Sequence, residues 1–186
     1  MTRLILVRDG LTDWNAASRV QGSIDVPLNK DGLRQAKKLA MELANIDIDA
    51  VYSSAMARSS EVAKEIAAVK KLKPKKLKAL NDLGQGLWQG LIIEDIKKRY
   101  PKQYAAWQES PLSVTPPEGE GVADAEKRVS AAVDKIAERH KGGNVCIVSH
   151  RIIKAIIKCH YLKMNANEIP VMLKKDPDWE EMEIDG

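Results

Sequence analysis

The chain has 186 residues, of which 44% are hydrophobic and 30% charged, and it carries a net charge of +4 with a pI near 9.0. This balance argues against a disordered or membrane-spanning chain and predicts one globular domain over residues 1–186. The mild positive charge suits an acidic small ligand such as a phosphate ester. It is too small to indicate a nucleic-acid partner.

The first apolar run, Leu4 to Val7, has four residues and no small-residue cleavage site after it. It is therefore neither a signal peptide nor a membrane anchor, and a cytoplasmic location is expected. The two cysteines, Cys146 and Cys159, lie in apolar patterns and are predicted to be buried hydrophobic residues rather than a disulfide or metal ligands.

The Leu4 to Val7 run has the length and β-branched content of a strand buried on both faces. Polar residues follow at once, including Arg8 and Asp9, and Gly10 allows a ligand to approach the backbone closely. Carboxyl ends of strands are where open α/β sheets hold ligands. The next segment, 15–29, contains Gln21-Gly22 and Pro27 and is predicted to be a loop above this strand end.

Two further strand ends carry similar chemistry. Residues 31–44 show helical spacing, then Ala50 to Tyr52 forms a short strand that ends in Ser53-Ser54, with Arg58 in the first turn of a helix over 56–69. Residues 144–149 form another strand, followed by His150 and a helix over 152–161. We therefore expect Arg8 with Asp9, Arg58, and His150 to converge at one edge of a sheet.

The remaining segments are less informative. The lysine run at 70–78 lacks interleaved aromatic residues and is predicted to be a solvated turn that enters a short third strand. A glycine-punctuated loop with a buried Trp88 spans 82–90, and helical patterns cover 92–99, 101–107 and 122–137. The tail from Pro170 is predicted to contain an edge strand with a frayed terminus. His140 and His160, near helix ends, are expected to have no role in function.

Five stretches together resemble the histidine phosphatase superfamily, the phosphoglycerate mutase-like phosphatases. They are LVRDGLTDWN, VYSSAMARSSEVA, LNDLGQGLWQG, PPEGEGVADAEKRV and CIVSHRIIKAII, in this order, and they cover about residues 3–162. The resemblance implies a three-layer α/β/α sandwich with a mostly parallel central sheet. It also implies metal-independent phosphomonoester hydrolysis or mutase-like phosphoryl transfer on a small phosphorylated metabolite, without a cofactor.

The resemblance also implies roles for individual residues. Arg8, Arg58 and Asn15 would bind the phosphoryl oxygens, and His150 would stabilise the transferring group. Asp82 would stand where the family has the acid, more often Glu, that protonates the leaving oxygen. The remaining pocket-lining positions are Gln21, Gly22 and Arg151. Two guanidiniums and an imidazole can stabilise a transferring phosphoryl group without metal.

The chain departs from the family pattern most clearly at Asp9, where the family has its phosphoryl-accepting histidine. A carboxylate adds negative charge beside a phosphate, reaches about 1 Å less far, and could pair with Arg8 or Arg58; such misplacement can cost about 10²-fold. Lesser departures are Gly121, where the family usually has Ser, and Arg151, where it often has Gly.

Three hypotheses follow from Asp9. The chain is an impaired phosphatase or mutase in which Asp9 is an introduced or tolerated change, or it is a phosphate-binding pseudoenzyme. The pseudoenzyme would bind a phosphorylated ligand or serve as the inactive partner of an active homologue, and a homodimer is plausible for this lineage. In the third hypothesis Asp9 is itself the nucleophile and forms an aspartyl-phosphate, for which magnesium dependence would be diagnostic.

Overall fold

The computed structural model describes residues 1–185 as a five-stranded sheet between two layers of helices. The strands are β1 (Thr2–Arg8), β2 (Ala50–Ser54), β3 (Lys75–Leu77), β4 (Asn144–Ser149) and β5 (Trp179–Ile184). The helices are α1 (Asp13–Ala16), α2 (Lys30–Glu42), α3 (Ala57–Val69), α4 (Ile93–Arg99), α5 (Pro101–Glu109), α6 (Val122–Arg139), α7 (Arg151–Tyr161) and α8 (Ile169–Met172). The predicted α/β/α sandwich is confirmed.

The strand order is β3-β2-β4-β1-β5, and only the edge strand β5 runs antiparallel to its neighbour. Because β1, β2 and β4 are adjacent and parallel, their carboxyl ends lie side by side. The register pairs Arg8 with Ser149 and Ser53 with Val148, so the polar residues that follow these strands begin at the same edge. This topology positions the site.

Alternating side chains of the central strands fill two separate cores. Ile5 and Val7 pack with α2 and α3 on one face, whereas Leu4 and Leu6 pack with α6 and α7 on the other. All four side chains are fully buried. A strand that is covered on both faces is apolar at every position, so its sequence is a continuous apolar run and does not show which side chains face which core.

Some predicted segments differ from the structure. The first two residues of the loop predicted over 15–29 belong to α1, a single turn whose Thr12 cap and Asn15 form a reciprocal capping box. The tail contains α8 and a six-residue edge strand instead of only a short strand. The predicted fraying concerns the last residue, 186, which lies outside the described residues.

Candidate active site

The structure brings together the polar residues that follow β1, β2 and β4. The backbone N–H of Asp9 donates to the carbonyl of Ser149 at 2.7 Å, which joins the ends of β1 and β4. Ser54 at the end of β2 contacts His150 through its hydroxyl, with Oγ and Nε2 2.9 Å apart. The predicted convergence of three strand ends is therefore present in the fold.

Asp9 is the centre of this cluster. Its Oδ2 atom lies 2.7 Å from His150 Nδ1 and accepts a hydrogen bond from Arg58 Nε at 2.8 Å. The side chains of Arg58 and His150 are almost completely buried, and Asp9 is only 12% exposed. One carboxylate oxygen thus occupies the two donors that the family resemblance assigns to a phosphoryl group.

The surroundings of Asp9 favour its ionised form. Burial by itself would raise the pKa of this carboxyl group, but the charge and hydrogen bond of His150 and the nearby guanidiniums of Arg58 and Arg8 outweigh it, so the pKa lies below its ordinary value. Asp9 is therefore a carboxylate at neutral pH, with no proton to give to a leaving group.

Arg58 has few donors left for a ligand. Besides Asp9, its guanidinium donates to the carbonyls of Ile24 and Gly22, both at 2.9 Å, and to Asp82 Oδ2 at 3.1 Å. These four bonds use four of its five N–H groups. A phosphate that bound Arg58 would have one N–H, on Nη1, and any further bond would require it to displace a present acceptor or share its donor.

Arg8 and Asn15 are differently placed. Within residues 1–185 the Arg8 side chain makes no hydrogen bond or ion pair, and it lines the same cleft as Asp9 and His150. Asn15 also lines the cleft, and its Oδ1 accepts from the backbone N–H of Thr12 at 2.8 Å. That bond leaves the Asn15 amide N–H groups available, so Arg8 and Asn15 can offer donors without breaking a carboxylate pair.

Gln21 and Gly22 form part of the cleft wall. The Gln21 side chain is nearly buried and its Oε1 accepts from Thr12 Oγ1 at 3.0 Å. Gly22 has a φ of +53°, a left-handed conformation that favours glycine and that turns its carbonyl towards Arg58. The loop is thus tied to the site through its backbone.

Asp82 is held by a clamp that the sequence analysis did not find. Arg128 of α6 donates to the carbonyls of Ala79, Asn81 and Asp82 at 2.7, 2.9 and 3.2 Å. The same guanidinium binds both carboxylate oxygens of Glu120. Arg128 and Glu120 both stand in the PPEGEGVADAEKRV stretch, but their spacing gives no sign that they would meet the backbone of residues 79–82.

Arg151 lies at the rim of the cleft and is fixed by the C-terminal segment. Its guanidinium donates to the carbonyl of Leu173 and approaches Asp176 at 3.5 Å. One turn along α7, the buried Lys154 donates to Asp176 at 3.0 Å and to the carbonyl of Pro177 at 2.7 Å. The segment after α8 therefore anchors the helix that follows His150. Lys154 was also missed, because one lysine among the apolar residues of α7 has no distinctive spacing.

The cleft has a volume of about 260 Å³ and two chemically different ends. Arg8, Asp9, Asn15, Asp82 and His150 form the polar end. The rest of the lining comes from α4, α5 and neighbouring segments. Its apolar and aromatic members are Val20, Trp88, Ile93, Ile96, Tyr104, Trp107, Ile152 and Leu173, and the amides of Gln85 and Gln108 interrupt them. Trp88 was predicted to be buried, and it is, but its place in a cleft wall was not anticipated.

The other histidines and the cysteines lie outside this cleft. His140 contacts the Tyr52 hydroxyl at 3.0 Å, and His160 Nδ1 lies 2.9 Å from Glu126. Cys146 and Cys159 are buried and free, as predicted, and burial raises the pKa of the Cys146 thiol to about 12. Among residues 1–185, no cluster of three or more His, Cys, Asp or Glu side chains is arranged to hold a metal ion. No helix in the same range is long and apolar enough to cross a membrane.

The chain belongs to the histidine phosphatase superfamily (branch 1), whose family model matches residues 4–185. Phosphoserine phosphatase 1 of Hydrogenobacter thermophilus is 33% identical over 168 residues, which are 90% of this chain and 80% of that protein. The probable phosphoglycerate mutase GpmB of Yersinia pestis is 33% identical over 153 residues, covering 81% of this chain and 70% of GpmB.

Solved structures agree with this assignment. Bacillus stearothermophilus YhfR superposes with a TM-score of 0.89 and 27% identity, covering all of this chain and 93% of YhfR. A mycobacterial glucosyl-3-phosphoglycerate phosphatase in complex with VO₃ superposes with a TM-score of 0.85 and 27% identity, covering 91% of this chain and 86% of that one.

Proposed function

We propose that residues 1–186 form one phosphatase- or mutase-like domain that binds the phosphate group of a small phosphorylated metabolite at the polar end of the cleft. The relatives named above support the class of activity, since they include a phosphatase of phosphoserine and a probable mutase of phosphoglycerate. In this proposal Arg8, Arg58 and Asn15 bind the phosphoryl oxygens, and His150 stabilises the charge that develops on them.

We further propose that turnover is severely impaired, because Asp9 stands at the position of the phosphoryl-accepting histidine. The observation that carries this proposal is the double contact of Asp9 Oδ2 with His150 Nδ1 and Arg58 Nε. Both donors compete with a reacting phosphorus for the lone pairs of that oxygen. The ionised carboxylate also repels the phosphate dianion that it would have to attack.

Asp82 is the proposed acid that protonates the leaving oxygen. Its Oδ2 contacts Arg58 at 3.1 Å and its Oδ1 accepts the backbone N–H of Leu83 at 2.9 Å. A bound phosphate that draws Arg58 away from Asp82 would free this carboxyl group to face the leaving oxygen. The Arg128 clamp would keep the backbone of Asp82 in place while its side chain changes partner.

A non-catalytic function is the second candidate, and the same contacts favour it. A carboxylate that satisfies Arg58 and His150 in the absence of ligand leaves Arg8 as the unpaired cation of the polar end, within residues 1–185. Such a site suits a weak sensor of phosphorylated metabolites, or the inactive subunit of an assembly with an active homologue. Formation of an aspartyl-phosphate at Asp9 is the third candidate function.

Hydrolysis of 4-nitrophenyl phosphate in the presence of a chelator tests these candidates. The chain as given is compared with Asp9→His and with Asp9→Asn, which removes the same charge without supplying a nucleophile. We expect Asp9→His to gain at least about 10³-fold, equivalent to about 4 kcal/mol of transition-state stabilisation. Asp9→Asn should stay inactive.

Other outcomes select the other candidates. If no variant hydrolyses the ester but all bind inorganic phosphate or vanadate at millimolar concentration, the chain is a binding protein. If the unchanged chain is active with magnesium and loses that activity in chelator, Asp9 is a nucleophile. Absence of any binding would refute the phosphate site itself.

A further inference from the structure

The apolar end of the cleft is built by a part of the chain that phosphate binding leaves unexplained. Helices α4 and α5 contribute Ile93, Ile96, Tyr104 and Trp107, and Trp88 comes from the turn just before them. Ile96, Trp88 and Trp107 are buried at 0%, 2% and 6% exposure and support the wall from beneath, whereas the half-buried Tyr104 and the exposed Ile93 provide accessible surface. Nothing about positioning a phosphate requires such a surface.

The charges of the cleft are distributed unevenly. Its only carboxylates, among residues 1–185, are Asp9 and Asp82, and both lie at the polar end. Two cations lie at the rim, but each is tied to the protein: Arg19 donates to the carbonyl of Gly90 at 2.5 Å, and Arg151 is held by Leu173 and Asp176. Apart from the uncharged amides of Gln85 and Gln108, the wall therefore offers apolar contact rather than a second built anion site.

The two indole rings of the wall are not fixed by hydrogen bonds. The Nε1 atoms of Trp88 and Trp107 are buried and have no acceptor within residues 1–185. Trp88 instead packs against the rings of Tyr100 and Tyr104, with centroids 6.4 and 6.1 Å away. The wall is therefore aromatic and held by packing, and aromatic groups favour offset-stacked or edge-to-face contacts with an aromatic ligand.

We propose that the cleft selects phosphomonoesters whose alcohol part is an aromatic or similarly flat apolar ring, with the phosphate at Arg8 and the ring against Tyr104, Trp107 and Ile93. This inference rests on the proposed phosphate site and specifies the substrate class that it takes. The cleft volume of about 260 Å³ lies just below the usual range for ligand pockets, about 300–1,000 Å³, so it fits one ring system and a phosphate.

Calorimetric titration with non-hydrolysable phosphonates tests this inference on the chain as it stands. The probes are 1-naphthylmethylphosphonate, methylphosphonate, and phosphonoacetate, which carries a carboxylate in place of the ring. We expect the naphthyl compound to bind at least about tenfold more tightly than methylphosphonate, because burying the ring removes apolar surface from water. Phosphonoacetate should gain little over methylphosphonate.

Two substitutions test where the naphthyl ring of the ligand binds. Ile93→Ser changes a wall residue that is 36% exposed, and Val69→Ser changes a β-branched residue of similar exposure, 39%, at the end of α3. Neither side chain is needed to fill the core. We expect Ile93→Ser to weaken naphthyl binding about threefold with no change for methylphosphonate, and Val69→Ser to change neither.

Three results would overturn the inference while leaving the proposed phosphate site intact. They are equal affinity for the naphthyl and methyl compounds, tighter binding of phosphonoacetate than of the naphthyl compound, and naphthyl binding that Ile93→Ser does not affect. If neither the phosphonates nor inorganic phosphate bind at millimolar concentration, the phosphate site itself is refuted, and the inference with it.

Discussion

Replacing Asp9 with asparagine should strengthen phosphate binding, although it removes an ionic contact from the site. Asp9 lies within 2.8 Å of two groups, Arg58 Nε and His150 Nδ1, that are proposed to hold the phosphoryl oxygens. A phosphate on the same groups would come within about 5 Å of the carboxylate. At that distance a single charge repels a dianion by about 1.7 kcal/mol even at the dielectric constant of water.

This repulsion corresponds to more than about tenfold in affinity, since about 1.4 kcal/mol is one factor of ten. Asp9 is 12% exposed, so the effective dielectric constant is lower than that of water and the gain is larger. We therefore expect Asp9→Asn to bind inorganic phosphate at least about tenfold more tightly at pH 8, measured by calorimetry. The asparagine side chain has nearly the same size, so the shape of the cleft is preserved.

A matched control removes one negative charge far from the cleft. Glu138 is an exposed residue in the last turn of α6, and that helix ends shortly before β4 begins, at the edge of the sheet opposite the site. Glu138→Gln should change phosphate affinity by less than about twofold, because screening at physiological ionic strength acts over about 8 Å. Equal or weaker phosphate binding by Asp9→Asn would refute the argument that Asp9 competes with the ligand.

Three further predictions concern stability, each measured by urea unfolding. Because the pKa of Asp9 is lowered in the fold, its ionised form stabilises the protein above about pH 3.9. The unchanged chain should therefore be more stable than Asp9→Asn at pH 7. The difference in stability should vanish as the pH falls through the lowered pKa. A gap that does not narrow as the pH falls below about 3.9 would contradict this. Lys154→Met should lower the free energy of unfolding by about 3–5 kcal/mol, because it leaves Asp176 buried without its main partner. Adding Asp176→Leu should recover most of that free energy. A double variant as unstable as the single one would show that packing matters more than charge. Gly86→Ala should lower the free energy of unfolding by at least about 2 kcal/mol, since residue 86 has a φ of +50° and a Cβ there would lie 2.0 Å from the carbonyl oxygen of Pro117. A decrease below about 0.5 kcal/mol would mean that this loop shifts freely.

The sequence allowed the sheet and the strand ends to be predicted because these depend on local patterns. Four consecutive apolar residues before Arg8 indicate a strand buried on both faces, and the helical spacing after Asp31 indicates a helix packed on it. The convergence of Arg8, Arg58 and His150 followed from one general property of parallel sheets, the shared edge of their carboxyl ends. None of these steps needed the coordinates of a side chain.

The charge pairs of the site could not be predicted in the same way. The sequence allowed Asp9 to pair with either Arg8 or Arg58, and the structure selects Arg58, 49 positions away, while Arg8 makes no pair within residues 1–185. The Arg128 clamp on residues 79–82 and the Lys154 contact with Asp176 are also long-range. Charged residues in a helical pattern usually lie on a solvated face, so their burial is visible only once the other elements are in place.

The contacts of Asp9 connect the stability of the empty site with the weak phosphate affinity that we expect for it. A site that holds a dianion must keep several cations close together, and without ligand these cations repel one another or must find protein acceptors. Here Arg58 already has two carboxylates and two carbonyls as partners, and His150 has one of the same carboxylates. Asp9 therefore acts as an internal anion for the two groups that a phosphate would use. The interaction that stabilises the unliganded fold is the one that a ligand must break, so any substitution at this position that frees Arg58 and His150 is expected to exchange stability for affinity.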